Sequence, residues 1–231
     1  KIVSQLNKGI SQMSKARDVE IIYGKASFLN NKVVIVETDK KNIEIKFKNI
    51  IIATGSRPKL PSFGDKETMD KVWTSKDALE LDHIPNNLLI IGGGYIGLEL
   101  GSVYQSLGSK VTVVEFMDSL LPGADQDMVR PLYLNLKRHL TSIRLSSKVE
   151  KIKYNNNQFL VKILSNSNLE ELCFDKVLCS IGRTPNTDNL CIENTDITLK
   201  NNFIKVDQRQ RTSVEGIYAI GDATGDPMLA H

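Results

Sequence analysis

The 231-residue chain is 41% hydrophobic and 25% charged, which is typical of a folded globular protein with enough residues for one large or two small domains. Its formal net charge is only +3, its basic residues are scattered among acids, and 6% of its residues are aromatic, so nucleic acid is disfavoured as a partner. No apolar run approaches the roughly 18 residues of a membrane helix and no signal-peptide pattern opens the sequence, so we expect a soluble protein without membrane contact.

The first residues carry an amphipathic helix pattern, and short strand patterns follow it. Because Lys1 already lies inside the helix pattern, we expect the sequence to be a piece of a longer chain. Thr74 with Asp77 predicts the cap of a short helix that ends near Leu81. The helix pattern consists of Ile2, Val3, Leu6, Ile10 and Met13. The predicted strands cover residues 20–23, 32–36, 43–47 and 49–53.

Residues 88–114 are predicted to form a strand, a helix and a second strand. An apolar run over 88–91 precedes three glycines, a helix pattern follows, and the β-branched run 111–114 closes the unit. Gly108 stands where a helix C-cap is expected. Two strands joined in this way by a helix form a parallel pair. The helix pattern consists of Leu98, Leu100, Val103, Tyr104 and Leu107.

The glycines of this unit have the G-x-G-x-x-G spacing of a dinucleotide-binding turn. Gly92 permits a tight turn, Gly94 lets a pyrophosphate approach the backbone, and Gly97 lets the helix pack closely on the strand. The free N–H groups at the helix N-terminus then face the phosphates. The alternative is an ordinary α/β turn in which the glycine spacing arises by chance.

Glu115, at the end of the second strand, lies where the adenosine ribose of a dinucleotide arrives. Its carboxylate can accept hydrogen bonds from the ribose diol, whereas it would repel the 2′-phosphate of NADP by a few kcal/mol at an effective dielectric of ~20. The following loop, 116–119, contains no arginine that would offset this repulsion. The sequence therefore favours NAD, the alternative for Glu115 being a solvated carboxylate at a strand end.

The second half of the chain is predicted to contain one long helix and several strands. The helix covers 125–140, with Met128, Leu132, Leu134 and Leu136 facing the core. Two apolar strands far apart in the chain end in similar small residues, in IIIATGS and IYAIGDATG. The predicted strands cover 143–145, 149–154, 159–164, 174–180, a hairpin of 197–199 with 203–206, and 216–220.

The cysteines and histidines indicate no metal site. Cys173, Cys179 and Cys191 have neither metal-ligand nor C-x-x-C spacing, and Cys173 and Cys179 are predicted to be buried, inert thiols. None of the histidines, which are His83, His139 and His231, stands at ligand spacing from a cysteine or a carboxylate.

Several motifs together resemble the pyridine nucleotide-disulfide oxidoreductases. Residues 53–55 and 212–222 resemble the strands with which that family re-enters its FAD domain, and 182–186 is similar to the segment that crosses between its domains. The resemblance implies an α/β fold in which a Rossmann-like NAD-binding domain, a parallel sheet plus a β-meander, is inserted into part of an FAD-binding domain. The implied parts are 1–65 and 191–231 for the FAD-binding domain and 66–190 for the NAD-binding domain.

The resemblance also implies which residues contact the two cofactors. The residues implied for NAD are Gly92, Gly93, Gly94, Tyr95, Ile96, Gly97, Leu98, Glu99, Glu115, Val149 and Gly182. Those implied for FAD are Ala26, Thr54, Gly55, Ser56, Asp222, Met228, Leu229, Ala230 and His231. Tyr95 either gates access to the flavin or simply packs in the loop, and without the resemblance Asp222 could be an ordinary turn residue.

Within the family, the final tetrapeptide 228–231 resembles the dihydrolipoyl dehydrogenase branch. This implies hydride transfer between dihydrolipoamide and NAD through FAD, in a cytoplasmic or mitochondrial homodimer that serves 2-oxo acid dehydrogenase complexes through a lipoyl domain. The redox-active C-x-x-x-x-C and the catalytic His and Glu are expected outside these residues, so no catalytic residue is assigned here. Glu99 is similar to an acid that pairs with a lysine beside that disulfide. Alternatives are another flavoprotein disulfide reductase, a transhydrogenase, and a non-catalytic NAD-binding module.

Overall fold

A computed structural model describes residues 2–225 and 227–229 of the chain. The chain forms two compact units, the first made of residues 1–55 and 185–231 and the second of residues 56–184. The predicted domain limits at 65 and 190 lie later in the chain than these boundaries, and the assignment of a cofactor to each part stays a prediction. Within the described residues, no helix combines the length and apolar character that crossing a membrane requires.

Helices and strands alternate over residues 56–144 of the second unit, strands follow one another after residue 144, and the first unit is mostly strand. The α-helices of the described residues are α1 (Ile2–Lys15), α2 (Lys66–Met69), α3 (Ser75–Glu80), α4 (Tyr95–Ser106) and α5 (Gln126–His139). The strands of the first unit there are β1 (Lys25–Asn30), β2 (Val33–Glu37), β3 (Asn42–Lys46), β4 (Ile50–Ile52), β14 (Leu199–Lys200), β15 (Phe203–Ile204) and β16 (Ile217–Ala219). The remaining strands are β5 (Ser56–Pro58), β6 (Asn87–Ile91), β7 (Lys110–Val114), β8 (Ser142–Arg144), β9 (Ser147–Asn155), β10 (Gln158–Ser165), β11 (Asn168–Phe174), β12 (Lys176–Cys179) and β13 (Arg183–Pro185).

The second unit is built on a four-stranded parallel sheet with the order β12-β6-β7-β8. Successive residues of β6 point to opposite faces, so Leu88 and Ile90 pack against the helices while Leu89 and Ile91 pack against the β9–β11 meander. Burial on both faces explains why residues 88–91 form a continuous apolar run. The predicted α/β fold with a parallel sheet is confirmed.

The predicted cap of α3 is confirmed, and the predicted core face of α5 is confirmed for Leu132 and Leu136 only. Thr74 and Asp77 form the predicted capping box of α3. In α5 the predicted core residues Met128 and Leu134 are 75% and 49% exposed. Residues two apart on a helix differ by about 200° in direction, so the alternating leucines cannot share one face. The side actually packed in the core carries Val129, Leu132, Tyr133, Leu136 and Leu140.

The first unit combines an antiparallel sheet, β1-β2-β3, with a parallel pair, β4 and β16. The two similar sequence stretches noted above are therefore neighbours, with Ile52 in register with Ala219. The predicted hairpin also forms, and Asn201 and Asn202 adopt the positive φ values of 52° and 68° that a tight two-residue turn requires.

The start of the chain departs from the prediction in one respect. The helix α1 forms as expected, but it buries none of its residues. Residues 20–23, predicted to be a strand, belong to no strand in the part of the chain that is described. A strand pattern by itself supplies no hydrogen-bonding partner, and a strand forms only where one is present.

The two cysteines predicted to be inert differ in the structure. Cys179 is buried in the sheet, and this burial raises the pKa of its thiol to about 11. The prediction for Cys173 is wrong, because this residue is exposed on β11. Its neighbour Phe174 points into the core, and the period of two along a strand turns Cys173 outward.

We expect iodoacetamide at pH 8 to alkylate Cys173 well before Cys179 in the native protein. The thiolate is the reacting species, so a buried thiol with a pKa of about 11 reacts slowly, while an accessible thiol reacts without any unfolding. Peptide mass spectrometry over a time course measures both sites, and the difference should vanish in denaturant. Equal rates at the two thiols in the native protein would contradict the assignment.

Candidate dinucleotide-binding site

The carboxyl ends of three parallel strands bring the predicted NAD residues to one edge of the sheet. Gly92 follows β6, Glu115 follows β7 and Ser180 follows β12. The Gly92 N–H donates to the Val114 carbonyl over 2.9 Å, and the Ser180 N–H donates to the Ile91 carbonyl over 2.8 Å. Open α/β sheets bind ligands outside this edge, so the arrangement fits a nucleotide.

The three glycines of the spacing differ in the space around them. Gly92 has a φ of +105°, and a Cβ there would lie 2.5 Å from the carbonyl oxygen of Ser180. A Cβ on Gly97 would collide with the Gly92 carbonyl oxygen and with the Ser180 hydroxyl, which is 2.5 Å away. At Gly94 nothing lies within 4 Å. Two glycines are therefore needed by the protein's own packing, while the third leaves open space.

The helix α4 begins at this open space. Gly94 is its N-cap, has extended backbone angles, and supplies no side-chain acceptor for the first turn. An α-helix leaves its first four N–H groups without intrahelical partners, and such groups together with the helix dipole favour anions. Ile96 and Leu98 are partly or fully buried, so a ligand contact from either would come from the backbone. Tyr95 and Glu99, one turn apart, expose their side chains.

Glu115 is 7% exposed, so the alternative of a solvated carboxylate is wrong. Its Oε2 accepts a hydrogen bond of 2.5 Å from the Gly93 N–H, and its Oε1 accepts one of 2.8 Å from the Met117 N–H. Each carboxylate oxygen can accept a further hydrogen bond. The side chain is thus held in one orientation and keeps acceptor capacity for a diol.

The nearest arginine to Glu115 along the sheet directs its charge elsewhere. The Arg144 carbonyl accepts from the Glu115 N–H over 2.8 Å, which places the two residues side by side. The guanidinium of Arg144 forms an ion pair of 2.7 Å with Glu170 on β11. No sequence pattern pointed to this neighbour, because the two positions are brought together only by the pairing of β7 with β8.

Two other predicted NAD residues lie at the same edge. Val149 has its side chain buried in the core, so any contact with a ligand would use its backbone. It lies two residues after Ser147, whose N–H donates to the Glu115 carbonyl over 2.9 Å. Gly182 is exposed beyond β12, with a φ of +123° and open space at its Cβ position.

Ser180 and Met117 complete the edge although the sequence did not point to them. The Ser180 hydroxyl lies 3.1 Å and 3.2 Å from the carbonyl oxygens of Ile91 and Gly92, to which it can donate. Met117 supplies the second amide that holds Glu115. Neither the small residue at the end of β12 nor the residue two positions after Glu115 has a distinctive sequence pattern. Their roles follow only from the hydrogen bonds seen in the structure.

The predicted FAD residues of the first unit are partly brought together. Thr54 and Gly55 follow β4 and Asp222 follows β16, so the ends of two parallel strands place them at one edge. The carbonyls of Thr54 and Gly55 accept hydrogen bonds of 3.0 Å and 2.9 Å from Asn186. Ala26 is exposed on β1.

The other residues predicted for FAD have separate surroundings. Ser56 begins β5, in the second unit, and its hydroxyl accepts a hydrogen bond of 2.5 Å from Arg183. Met228 and Leu229 are partly exposed and lie outside any helix or strand. Ala230 and His231 lie outside the described residues.

Comparison with known proteins places this geometry in a family. The profile of the pyridine nucleotide-disulphide oxidoreductases matches residues 1–231. The chain is 42% identical to a dihydrolipoyl dehydrogenase of Buchnera aphidicola subsp. Schizaphis graminum and 39% identical to one of Vibrio cholerae, in each case over all of this chain and 49% of the relative. The chain thus spans about half the length of the curated relatives it matches.

A solved structure gives the same result. The HOCl-induced flavoprotein disulfide reductase RclA from Escherichia coli superimposes with a TM-score of 0.84 at 33% identity, over 96% of this chain and 50% of that one. Full coverage by the family profile, whole-chain identity near 40% and the superposition agree with each other and with the glycine turn described above. This chain belongs to the pyridine nucleotide-disulphide oxidoreductase family.

Proposed function

We propose that the whole protein is an NAD-dependent dihydrolipoyl dehydrogenase, and that this chain supplies its NAD site and part of its FAD site. The observation that carries the proposal is the edge of the parallel sheet, where the open space at Gly94 and the buried carboxylate of Glu115 lie beside the N-terminus of α4. A diphosphate needs amide donors and room, and a ribose diol needs a fixed acceptor. The residues present fit both requirements.

The chain's own residues bind and orient the cofactors. Gly94 and the first turn of α4 would hold the pyrophosphate of NAD, and Gly92 and Gly93 would shape the turn beneath it. Glu115 would hold the adenosine ribose, and Val149 and Gly182 would add further contacts. Thr54, Gly55 and Asp222 would hold part of FAD, with Ala26, Ser56 and the segment 228–231 around them. When bound, the flavin and the nicotinamide supply the hydride chemistry, and the protein supplies their placement.

The proposal extends to partners and location. The relatives named dihydrolipoyl dehydrogenase support a protein that oxidises a dihydrolipoyl group and passes the electrons to NAD+. We propose a homodimer that serves a 2-oxo acid dehydrogenase complex through its lipoyl domain, in the bacterial cytoplasm.

The first test is a titration of the 231-residue chain with NADH and NADPH, followed by nucleotide fluorescence. We expect saturable binding of NADH, and binding of NADPH at least about tenfold weaker, because the buried carboxylate of Glu115 repels the 2′-phosphate. Equal affinity for the two nucleotides, or no saturable binding of NADH, would remove the support for an NAD site.

The second test uses the full-length protein. Purified with bound flavin, it should form NADH from NAD+ and dihydrolipoamide. The likeness to RclA favours one competing function, another flavoprotein disulfide reductase. A yellow, NADH-oxidising protein that is inactive with dihydrolipoamide would support that function instead, and a protein that binds NADH without flavin would support a binding module.

A further inference from the structure

The second glycine of the turn is fixed by the loop that follows β7. The Gly93 N–H donates to Glu115 Oε2 over 2.5 Å, and the Gly93 carbonyl accepts from the Leu121 N–H over 2.9 Å. The space beside it is closed, since a Cβ on Gly93 would lie 2.7 Å from Leu120 Cδ2. Leu120 itself is 1% exposed. Both backbone groups of Gly93 are therefore bonded to a single neighbouring segment.

The Glu115 carboxylate joins two backbone segments at this point. One oxygen is bonded to the glycine turn through Gly93, and the other is bonded to its own loop through the Met117 N–H over 2.8 Å. The bond to Gly93 is buried, so this amide cannot exchange it for a bond to water without an opening of the site, whereas the bond to Met117 is partly buried. The hydrogen bonds to an ionised acceptor are stronger than those to a neutral one.

We propose that Glu115 is a positioning residue for the pyrophosphate turn, in addition to its role toward the ribose. The residue after Gly93 is Gly94, where the open space begins, so the Glu115–Gly93 hydrogen bond sets the position of the backbone that faces the phosphates. Removing the carboxylate leaves a buried N–H group without a partner, and the turn shifts to satisfy it. This inference rests on the proposed dinucleotide site.

The two roles of Glu115 are separable by a ligand that lacks ribose hydroxyls. In Glu115→Gln the amide keeps one acceptor oxygen, but its NH2 group then faces the second backbone donor. ADP carries both the diphosphate and the ribose diol, whereas 2′,3′-dideoxyadenosine diphosphate carries the diphosphate but lacks both hydroxyls of the diol. We expect the substitution to weaken binding of the dideoxy ligand by about fivefold, and that of ADP by more.

The expected loss of affinity in Glu115→Gln is opposite in direction to a simple charge effect. Loss of a negative charge near a diphosphate would by itself tighten binding of both ligands. Asp118→Asn is the matched control, since it removes one negative charge from the exposed part of the same loop. This variant should bind both ligands as well as the unmodified chain or slightly better. Calorimetry gives the affinities, and circular dichroism checks that each variant is folded.

A second measurement needs no ligand. Amide hydrogen exchange at Gly93 and Met117 in the ligand-free chain should become faster in Glu115→Gln and stay unchanged in Asp118→Asn. Unchanged exchange at both amides, or a loss of affinity for ADP with none for the dideoxy ligand, would overturn the positioning role while leaving the NAD site intact. If the unmodified chain binds neither ligand, the proposed NAD site fails, and the exchange rates still decide whether Glu115 holds the turn.

Discussion

Replacing Gly97 with alanine is expected to abolish measurable binding of NADH, with a loss of at least about a hundredfold, and to lower the free energy of unfolding by about 1–3 kcal/mol. The added methyl group would collide with the carbonyl oxygen of Gly92 and the hydroxyl of Ser180. Alanine favours a helix over glycine by up to about 1 kcal/mol, so the collision acts against a small gain. The collision is relieved only if α4 moves away from β6. This movement displaces the glycine turn.

The matched control is Gly101→Ala, one turn later on the same helix. There the added methyl group meets the Ile90 Cδ1 at 2.8 Å, the end of a side chain that can adjust its rotamer, and no backbone atom within 4 Å. Gly101→Ala should therefore keep most of the affinity for NADH. Chemical denaturation and NADH titration of both variants measure the two effects. If Gly97→Ala binds and unfolds like Gly101→Ala, the close approach of helix and strand is not what the glycine provides.

The glycine turn and its two strands could be predicted because each rests on local chemistry. A positive φ at Gly92 and the closed space at Gly97 exclude other residues wherever this turn forms, so the spacing alone carries the information. Residues 88–91 are all apolar and 111–114 are apolar except for Thr112, because both faces of their sheet are covered. The capping box at Thr74 and Asp77 is equally local.

The features that escaped prediction depend on partners that are distant in sequence. The role of Gly93 depends on Glu115, and that of Ser180 depends on Gly92 and Gly97. The run 20–23 has the pattern of a strand, and without a pairing partner in the described chain it forms none. Cys173 could have been placed correctly, since an outward position next to the buried Phe174 follows from strand alternation.

Gly94→Ala is expected to separate binding from folding. Nothing lies within 4 Å of the position a Cβ would take, and the backbone at Gly94 has a φ of −77°, which any residue can adopt. The free energy of unfolding should thus fall by no more than about 1 kcal/mol, which is the amount by which glycine is preferred to alanine as an N-cap. The same methyl group would stand where the pyrophosphate approaches the backbone, and the affinity for NADH should fall by about ten- to a hundredfold.

The comparison that decides this prediction is between two glycines with the same open surroundings. Gly9, on α1, also has nothing within 4 Å of the position that a Cβ would take, and Gly9→Ala should leave NADH binding unchanged. If Gly94→Ala destabilises the free protein as much as Gly97→Ala, the space at Gly94 is not open. If it binds NADH normally, the phosphates do not pass over Gly94. A stable protein with weakened binding requires that the space at Gly94 be reserved for a ligand, because no contact of the folded chain accounts for a glycine there.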